Sequence, residues 1–282
     1  MSPAAASPTA PVLELTGASL RVGDRELWRE LDLVVAEAEF LAVLGANGSG
    51  KTSLLRAILG QRALDRGEVR VAGEPARRGD ARIGTIPQQR PLPLGTPLRG
   101  RDLVALGADG HRFGLPLRSR ETRERVDAAL AAVGAAHLAS TPVSELSGGE
   151  QQRLRVAQAL VGDPVLLLCD EPLLSLDLPS QQTVASLIDG RRRQAGTAVL
   201  FVTHDVNPVL DMVDRILYLA NGRFRIGTPA EVLRSEVLSE LYGTRVEVLR
   251  AAGRVAVVGV PEADVHHGHG HEHAPEHGGE LR

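Results

Sequence analysis

The chain of 282 residues contains a single cysteine, Cys169, a single tryptophan and only 2 % aromatic residues. One cysteine excludes an intrachain disulfide, and a reducing compartment is its natural setting. With so few rings, the core must be built from Leu, Val, Ala and Ile, for which a hydrophobic content of 43 % is ample. No apolar run approaches the roughly 20 residues that span a bilayer, so a membrane role has to come through a partner. The net charge of −3 lacks the concentrated basic excess of a general nucleic-acid binder, and no nucleic-acid partner is expected. Met1 to Pro11 is rich in Ala, Pro, Ser and Thr, with no basic start and no apolar stretch. It reads as a disordered leader and not as a secretory signal.

Lysine is also nearly absent. Of the 32 Lys and Arg residues, only Lys51 is lysine. It lies in Gly45-Ala46-Asn47-Gly48-Ser49-Gly50-Lys51-Thr52, a complete G-x-x-x-x-G-K-[ST] phosphate loop. The position that stays lysine is one where a compact ammonium on a flexible stem must reach phosphates, a task ill suited to a planar guanidinium. The glycines let backbone N–H groups close around phosphate oxygens at a helix N-terminus, and Thr52 offers a hydroxyl to Mg²⁺. Phe40–Leu44 reads as the buried strand before the loop, and Ser53–Leu59 as the helix after it.

Strand-like pieces at Val12–Leu15, Leu31–Val35 and Gly67–Val71, with a turn at Gly23-Asp24, predict a small antiparallel sheet. Ile83 to Pro97 reads as irregular because of its prolines, and Glu121–Leu138 as an amphipathic helix. From Glu150 the pattern alternates: helix to Val161, strand Val165–Cys169, helix Pro179–Gln194, strand Ala198–Thr203. Such alternation implies a parallel sheet with crossover helices, hence an α/β fold. A hairpin around Asn221-Gly222, a helical stretch Pro229–Tyr242 and a second hairpin, Arg245–Leu249 with Arg254–Val260, complete the ordered chain. Arg191-Arg192-Arg193 reads as a solvated helix end and Cys169 as a small buried apolar residue.

Further motifs stand in a fixed order. Val165–Cys169 runs into Asp170-Glu171, a buried strand ending in two carboxylates, the Walker B pattern. Leu146-Ser147-Gly148-Gly149-Glu150 opens a helix with another anion-binding N-terminus. Ser175-Leu176-Asp177 follows Walker B, and His204 ends the next strand.

Together these motifs resemble the ATP-binding-cassette (ABC) ATPases over roughly residues 12–242. The resemblance implies a P-loop NTPase core with a parallel sheet, an antiparallel β subdomain, and an α-helical subdomain at about 90–160 within a cassette spanning 12–245. A hairpin at 246–260 and a His-rich disordered tail at 261–282 follow. By the same resemblance ATP is held by the loop Gly45–Thr52, Ser53 and the base slot at Val22; Mg²⁺ by Thr52, Gln88 and Asp170. Glu171 is then the catalytic carboxylate and His204 the switch histidine. Ser147, Gly148, Gly149 and Asp177 would meet the ATP of a second subunit, which implies a homodimer. Val22 departs from the family pattern, which places an aromatic ring on the adenine at that slot, and nearby Trp28 reads as an apolar packing residue.

One cassette without a membrane span fits the separate ATPase subunit of a transporter, peripheral on the cytoplasmic face of the membrane. It would dock on an integral permease through a groove involving residues 90–117. The stretches Glu171–Asp177, Asn207–Leu210 and Leu238–Thr244 are similar to the branch that imports zinc or manganese, served by an extracytoplasmic metal-binding protein. Independently, His266, His267, His269, His271, His273 and His277 offer imidazoles at short, flexible spacing, suited to Zn²⁺. Two classes stay open: a transport motor for a divalent metal, zinc first and manganese or another cargo after it, or a soluble ABC ATPase with a non-membrane partner.

Overall fold

The computed structural model describes residues 11–88, 98–109 and 119–259. The expected leader (but for Pro11), most of the expected permease groove and the His-rich tail lie outside the described residues. A six-stranded sheet runs in the order β10-β9-β3-β8-β7-β6. Its members are β3 (Phe40–Gly45), β6 (Ile83–Ile86), β7 (Leu166–Asp170), β8 (Ala198–Val202), β9 (Arg215–Ala220) and β10 (Arg223–Gly227). All neighbours are parallel except the β9–β10 hairpin. Beside it stands an antiparallel sheet of β1 (Leu13–Val22), β2 (Arg25–Val35), β4 (Arg66–Val71) and β5 (Glu74–Pro75).

The parallel strands are buried on both faces, so they read as continuous apolar runs whose alternate residues feed two separate cores. From β3, Leu41 and Val43 join the core beneath the antiparallel sheet, with Leu54 and Ile58 of helix α1 (Lys51–Ile58). Phe40, Ala42 and Leu44 face the opposite core, against Phe201 and Val156. That second core extends among helices α2 (Gly100–Asp109), α3 (Arg120–Ala132) and α4 (Gly148–Leu160). Each fully buried Leu or Val contributes about 1.5–3 kcal/mol, so this two-sided burial makes the sheet a rigid base for the loops at its C-terminal edge. The α/β P-loop fold with its antiparallel and helical parts is therefore present.

Several elements differ from the sequence reading. Ile83–Ile86 is not irregular but the edge strand of the parallel sheet, in register with Leu166–Cys169. Gly84 is required there, because a Cβ would lie 2.5 Å from the Ala159 carbonyl oxygen. Helix α2 carries no signal in the sequence reading; its Gly107 lets the helix press against the Gln158 carbonyl of α4. The expected helix Glu121–Leu138 stops at Ala132 and resumes as a 3₁₀ turn, Ala136–Leu138, after Gly134 turns the chain at φ +64°. Pro229–Tyr242 divides into α6 (Pro229–Val232) and α7 (Ser235–Tyr242).

The arginine run that closes α5 (Leu178–Ala195) is not simply solvated. Arg192, with a side chain only 12 % exposed, bonds Asp189 at 2.8 Å, Asp214 at 3.1 Å and the Ala38 carbonyl at 2.8 Å. Arg191 pairs with Asp163 and Thr197, and only Arg193 is mainly in solvent. A final hairpin, β11 (Val246–Ala251) and β12 (Arg254–Gly259), docks on the loop after β8. Asn207 clamps it by accepting from the Val255 N–H at 2.7 Å and donating to the Val255 carbonyl at 2.9 Å.

Candidate active site

The functional residues converge because β3, β7 and β8 are adjacent and parallel, so their C-terminal ends release three loops side by side. From β3 comes the phosphate loop. Gly45, at φ +144°, has no room for a side chain against the Leu219 carbonyl and Ser49 Oγ. Gly50, at φ +104°, caps α1, and a Cβ there would lie 2.5 Å from Cζ3 of the fully buried Trp28 ring. The tryptophan expected to pack as an apolar residue thus forms the floor under the loop. α1 has no acidic residue in its first turn, which leaves its positive end open to an anion.

Lys51 is only 7 % exposed. Its Nζ donates to the carbonyl oxygens of Gly45 at 2.6 Å and Ala46 at 3.1 Å, so the ammonium is held over its own loop. Burial lowers its pKa, while the negative charges of Glu171 and Asp170 act to raise it. Asp170 ends β7, and burial and Glu171 raise its carboxyl above the ordinary range against the pull of Lys51 and Arg56. Next to it Cys169 is wholly buried, which pushes its thiol far up and leaves it inert.

Glu171 adopts φ +47°, a left-handed conformation costly for a non-glycine residue, and its N–H is tied to the Val202 carbonyl at 2.9 Å. The turn directs its carboxylate toward the loop after β8, where Glu171 Oε2 lies 3.7 Å from His204 Nδ1. Glu171 is mostly buried and His204 about half exposed. Thr203 Oγ1, bonded to Asp205 at 2.8 Å, shapes that loop.

Asn47, Gly48, Gly50, Lys51, Thr52, Ser53, Gln88, Glu171 and His204 line one open cavity of about 830 Å³, whereas Asp170 is not among its lining residues. Val22, Arg25 and Leu27 close its side toward the β1–β2 hairpin. Val22, at the expected base slot, is 47 % exposed, so an apolar contact surface is present where no ring stands. Gly45 and Ala46 line a smaller neighbouring cavity of about 360 Å³, which His204 also borders. Arg25 was passed over in the sequence, although the Gly23-Asp24 turn already sets it opposite Val22.

Ser147, Gly148, Gly149 and Asp177 do not line the large cavity. Ser147 caps α4 through a reciprocal box: its Oγ and N–H both donate to Glu150 Oε2, at 2.7 and 2.9 Å. Those bonds hold the Glu150 carboxyl below the usual carboxylate range. Gly149 fits closely against Ser180, where a Cβ would meet Oγ at 2.5 Å. Asp177 caps α5 by accepting the Ser180 N–H at 3.0 Å.

A family model described as ABC transporter matches residues 28–174. The chain belongs to the ABC transporter family. Within it, this is an ATP-binding subunit that hydrolyses ATP. An aliphatic sulfonates import ATP-binding protein of Pseudomonas aeruginosa is 36 % identical, over 84 % of this chain and 83 % of that protein. A hemin import ATP-binding protein of Myxococcus xanthus is 36 % identical over 86 % of this chain and 97 % of its own length. A zinc import ATP-binding protein of Rhizobium meliloti is 32 % identical over 95 % of this chain and 79 % of its own. Among solved structures, an inward-facing ABC transporter described as of metal-chelate type superposes with a TM-score of 0.74 at 26 % identity, covering 90 % of this chain and 98 % of that one. No helix among the described residues is long and apolar enough to cross a membrane.

Proposed function

We propose that this ABC subunit powers import of a divalent metal, zinc before any other, by closing on ATP as a homodimer against a membrane permease. The observation that carries the catalytic part is the Glu171–His204 pair, 3.7 Å apart and facing Lys51 across one cavity. In this reading the loop N–H groups from Gly45 to Thr52, with Ser53, hold the phosphates, and Lys51 swings from the Gly45 and Ala46 carbonyls onto the β- and γ-phosphates. Glu171 orients the attacking water and accepts its proton; His204 steadies the γ-phosphate and the water through its hydrogen bonds.

The donors available for Mg²⁺ are a hydroxyl on Thr52, an amide on Gln88 and a carboxylate on Asp170. That is an all-oxygen set suited to a hard cation. When bound, Mg²⁺ supplies charge neutralisation on the phosphate oxygens; Thr52, Gln88 and Asp170 would hold it.

Ser147, Gly148, Gly149 and Asp177 are not among the residues that line this cavity, and in this reading they meet the ATP of a second subunit. The capping box has a consequence there. Ser147 can turn its hydroxyl to a γ-phosphate only by giving up Glu150, so closure includes a local exchange of hydrogen bonds at the start of α4.

For cargo, two features support zinc: the zinc-import relative that aligns over 95 % of the chain, and the histidines from His266 to His277, which would bind Zn²⁺. The sulfonate and hemin relatives are the reason the cargo needs a direct test. We expect the subunit to co-purify with a hydrophobic permease on the cytoplasmic face of the membrane. Reconstituted with it, ATPase activity should rise when a zinc-loaded extracytoplasmic binding protein is added. Stimulation by a sulfonate- or haem-loaded protein and not by zinc would reject the metal cargo. Full activity with no permease partner would favour a soluble ATPase.

A further inference from the structure

The cavity beside the phosphate loop contains a second cation. Arg25 opens β2 and is the direct cross-strand partner of Val22, so the two side chains leave the same face of the hairpin. Both line the cavity, where Arg25 and Lys51 are the only Lys or Arg side chains among the described lining residues. The reach of Arg25 is measurable: its Nη1 is 3.4 Å from the position a Cβ on Gly48 would take. Gly48 is midway along the phosphate loop, so the guanidinium reaches the middle of that loop. Lys51 is nearly buried and bonded to carbonyls, whereas Arg25 is exposed and has no hydrogen-bond or ion-pair partner among the described residues. An exposed, unpaired arginine is ordinary on a protein surface. One set against the middle of a phosphate loop is not, since that loop motif and the helix N-terminus behind it are suited to an anion.

We propose that Arg25 is a phosphate-binding residue, gripping the polyphosphate of the bound nucleotide from the hairpin side while Lys51 grips it from the loop. The proposal rests on the ATP site described above. A planar fork of N–H donors suits two phosphate oxygens at once. The hairpin thereby divides its work: Val22 offers only apolar contact to the base, and its cross-strand partner supplies charge to the phosphates. Binding strength moves from base to phosphate, which compensates for the ring missing at Val22.

The test uses the full chain and two ligands, MgATP and inorganic tripolyphosphate, the second of which has no base. Dissociation constants are measured calorimetrically for wild type, Arg25→Ala, Arg25→Lys and, as a control on the site itself, Lys51→Ala. Arg25→Ala should weaken both ligands roughly tenfold, the scale of one charge-assisted hydrogen-bonded contact. Arg25→Lys should recover part of that loss for both, and the melting temperature should not move, since Arg25 has no partner in the fold. Unchanged affinities in Arg25→Ala would overturn the proposal. So would a loss confined to MgATP with no recovery by lysine, which would mean that the guanidinium stacks on the base. If Lys51→Ala binds both ligands as wild type does, the nucleotide site falls, and the proposal with it.

Discussion

Gly50 offers a prediction that can be worked in numbers. It caps α1 at φ +104°, and a methyl group there would meet Trp28 Cζ3 at 2.5 Å, Cε3 at 2.9 Å and Leu27 Cβ at 3.1 Å. Gly50→Ala therefore carries two separable costs. Holding an L residue in that backbone region costs about 1–3 kcal/mol. Forcing the methyl against a fully buried ring costs about a further 1–3 kcal/mol as overpacking. The sum, about 2–6 kcal/mol, corresponds to a fall in Tm of roughly 4–24 °C at about 2–4 °C per kcal/mol. If the loop yields in place of the ring, the penalty appears instead as lost ATP affinity, because its N–H groups no longer converge. Thermal melting and ATP titration should be run on Gly50→Ala, Trp28→Phe and the double variant. Phenylalanine lacks the outer ring that carries Cζ3, so the double variant should recover the overpacking part and retain the backbone part, a coupling of about 1–3 kcal/mol. A Gly50→Ala protein that melts and binds ATP as wild type does, or strictly additive effects, would refute the reasoning.

Lys51→Arg keeps the charge but must fit a fork where an ammonium sits 7 % exposed, 2.6 and 3.1 Å from two carbonyls. We expect ATP affinity to fall by at least about tenfold with little change in melting, and wild-type affinity in a titration would count against the steric argument. Val22→Tyr would place a ring on a surface already 47 % exposed at the cavity rim. Base stacking is worth about 1–3 kcal/mol, so the ATP dissociation constant should drop at least about fivefold; an unchanged constant would remove Val22 from the base slot.

The parallel core was legible because strands buried on both faces are unbroken apolar runs, as at Val165–Cys169 and Ala198–Val202. The motif loops were legible because each follows such a strand. What was missed has particular causes. Gly84 and Pro87 made Ile83–Ile86 resemble a loop, yet Gly84 is there for the close approach of the Ala159 carbonyl, a long-range contact with no local signature. The same holds for Gly107, which weakens the helical pattern of α2 while allowing it to press on α4. The arginine run failed because Asp214, distant in sequence, pulls Arg192 inward. Arg25 was within reach: once the Gly23-Asp24 turn was assigned, pairing put Arg25 beside the base slot. That Glu171 would need a left-handed backbone to face His204 had no counterpart in the residue pattern.

The central claim, that Glu171 acts on the water in a site completed by a second subunit, is tested most directly by Glu171→Gln. Glutamine is close to isosteric, keeping a group 3.7 Å from His204 while removing the acceptor for the proton. ATP hydrolysis and sedimentation should be measured on the same preparation, with and without ATP. The variant should bind ATP, hydrolyse it at least about a hundredfold more slowly, as expected for loss of a general base, and accumulate as a dimer only when ATP is present. A monomeric Glu171→Gln protein that hydrolyses ATP at the wild-type rate would contradict both parts of the account.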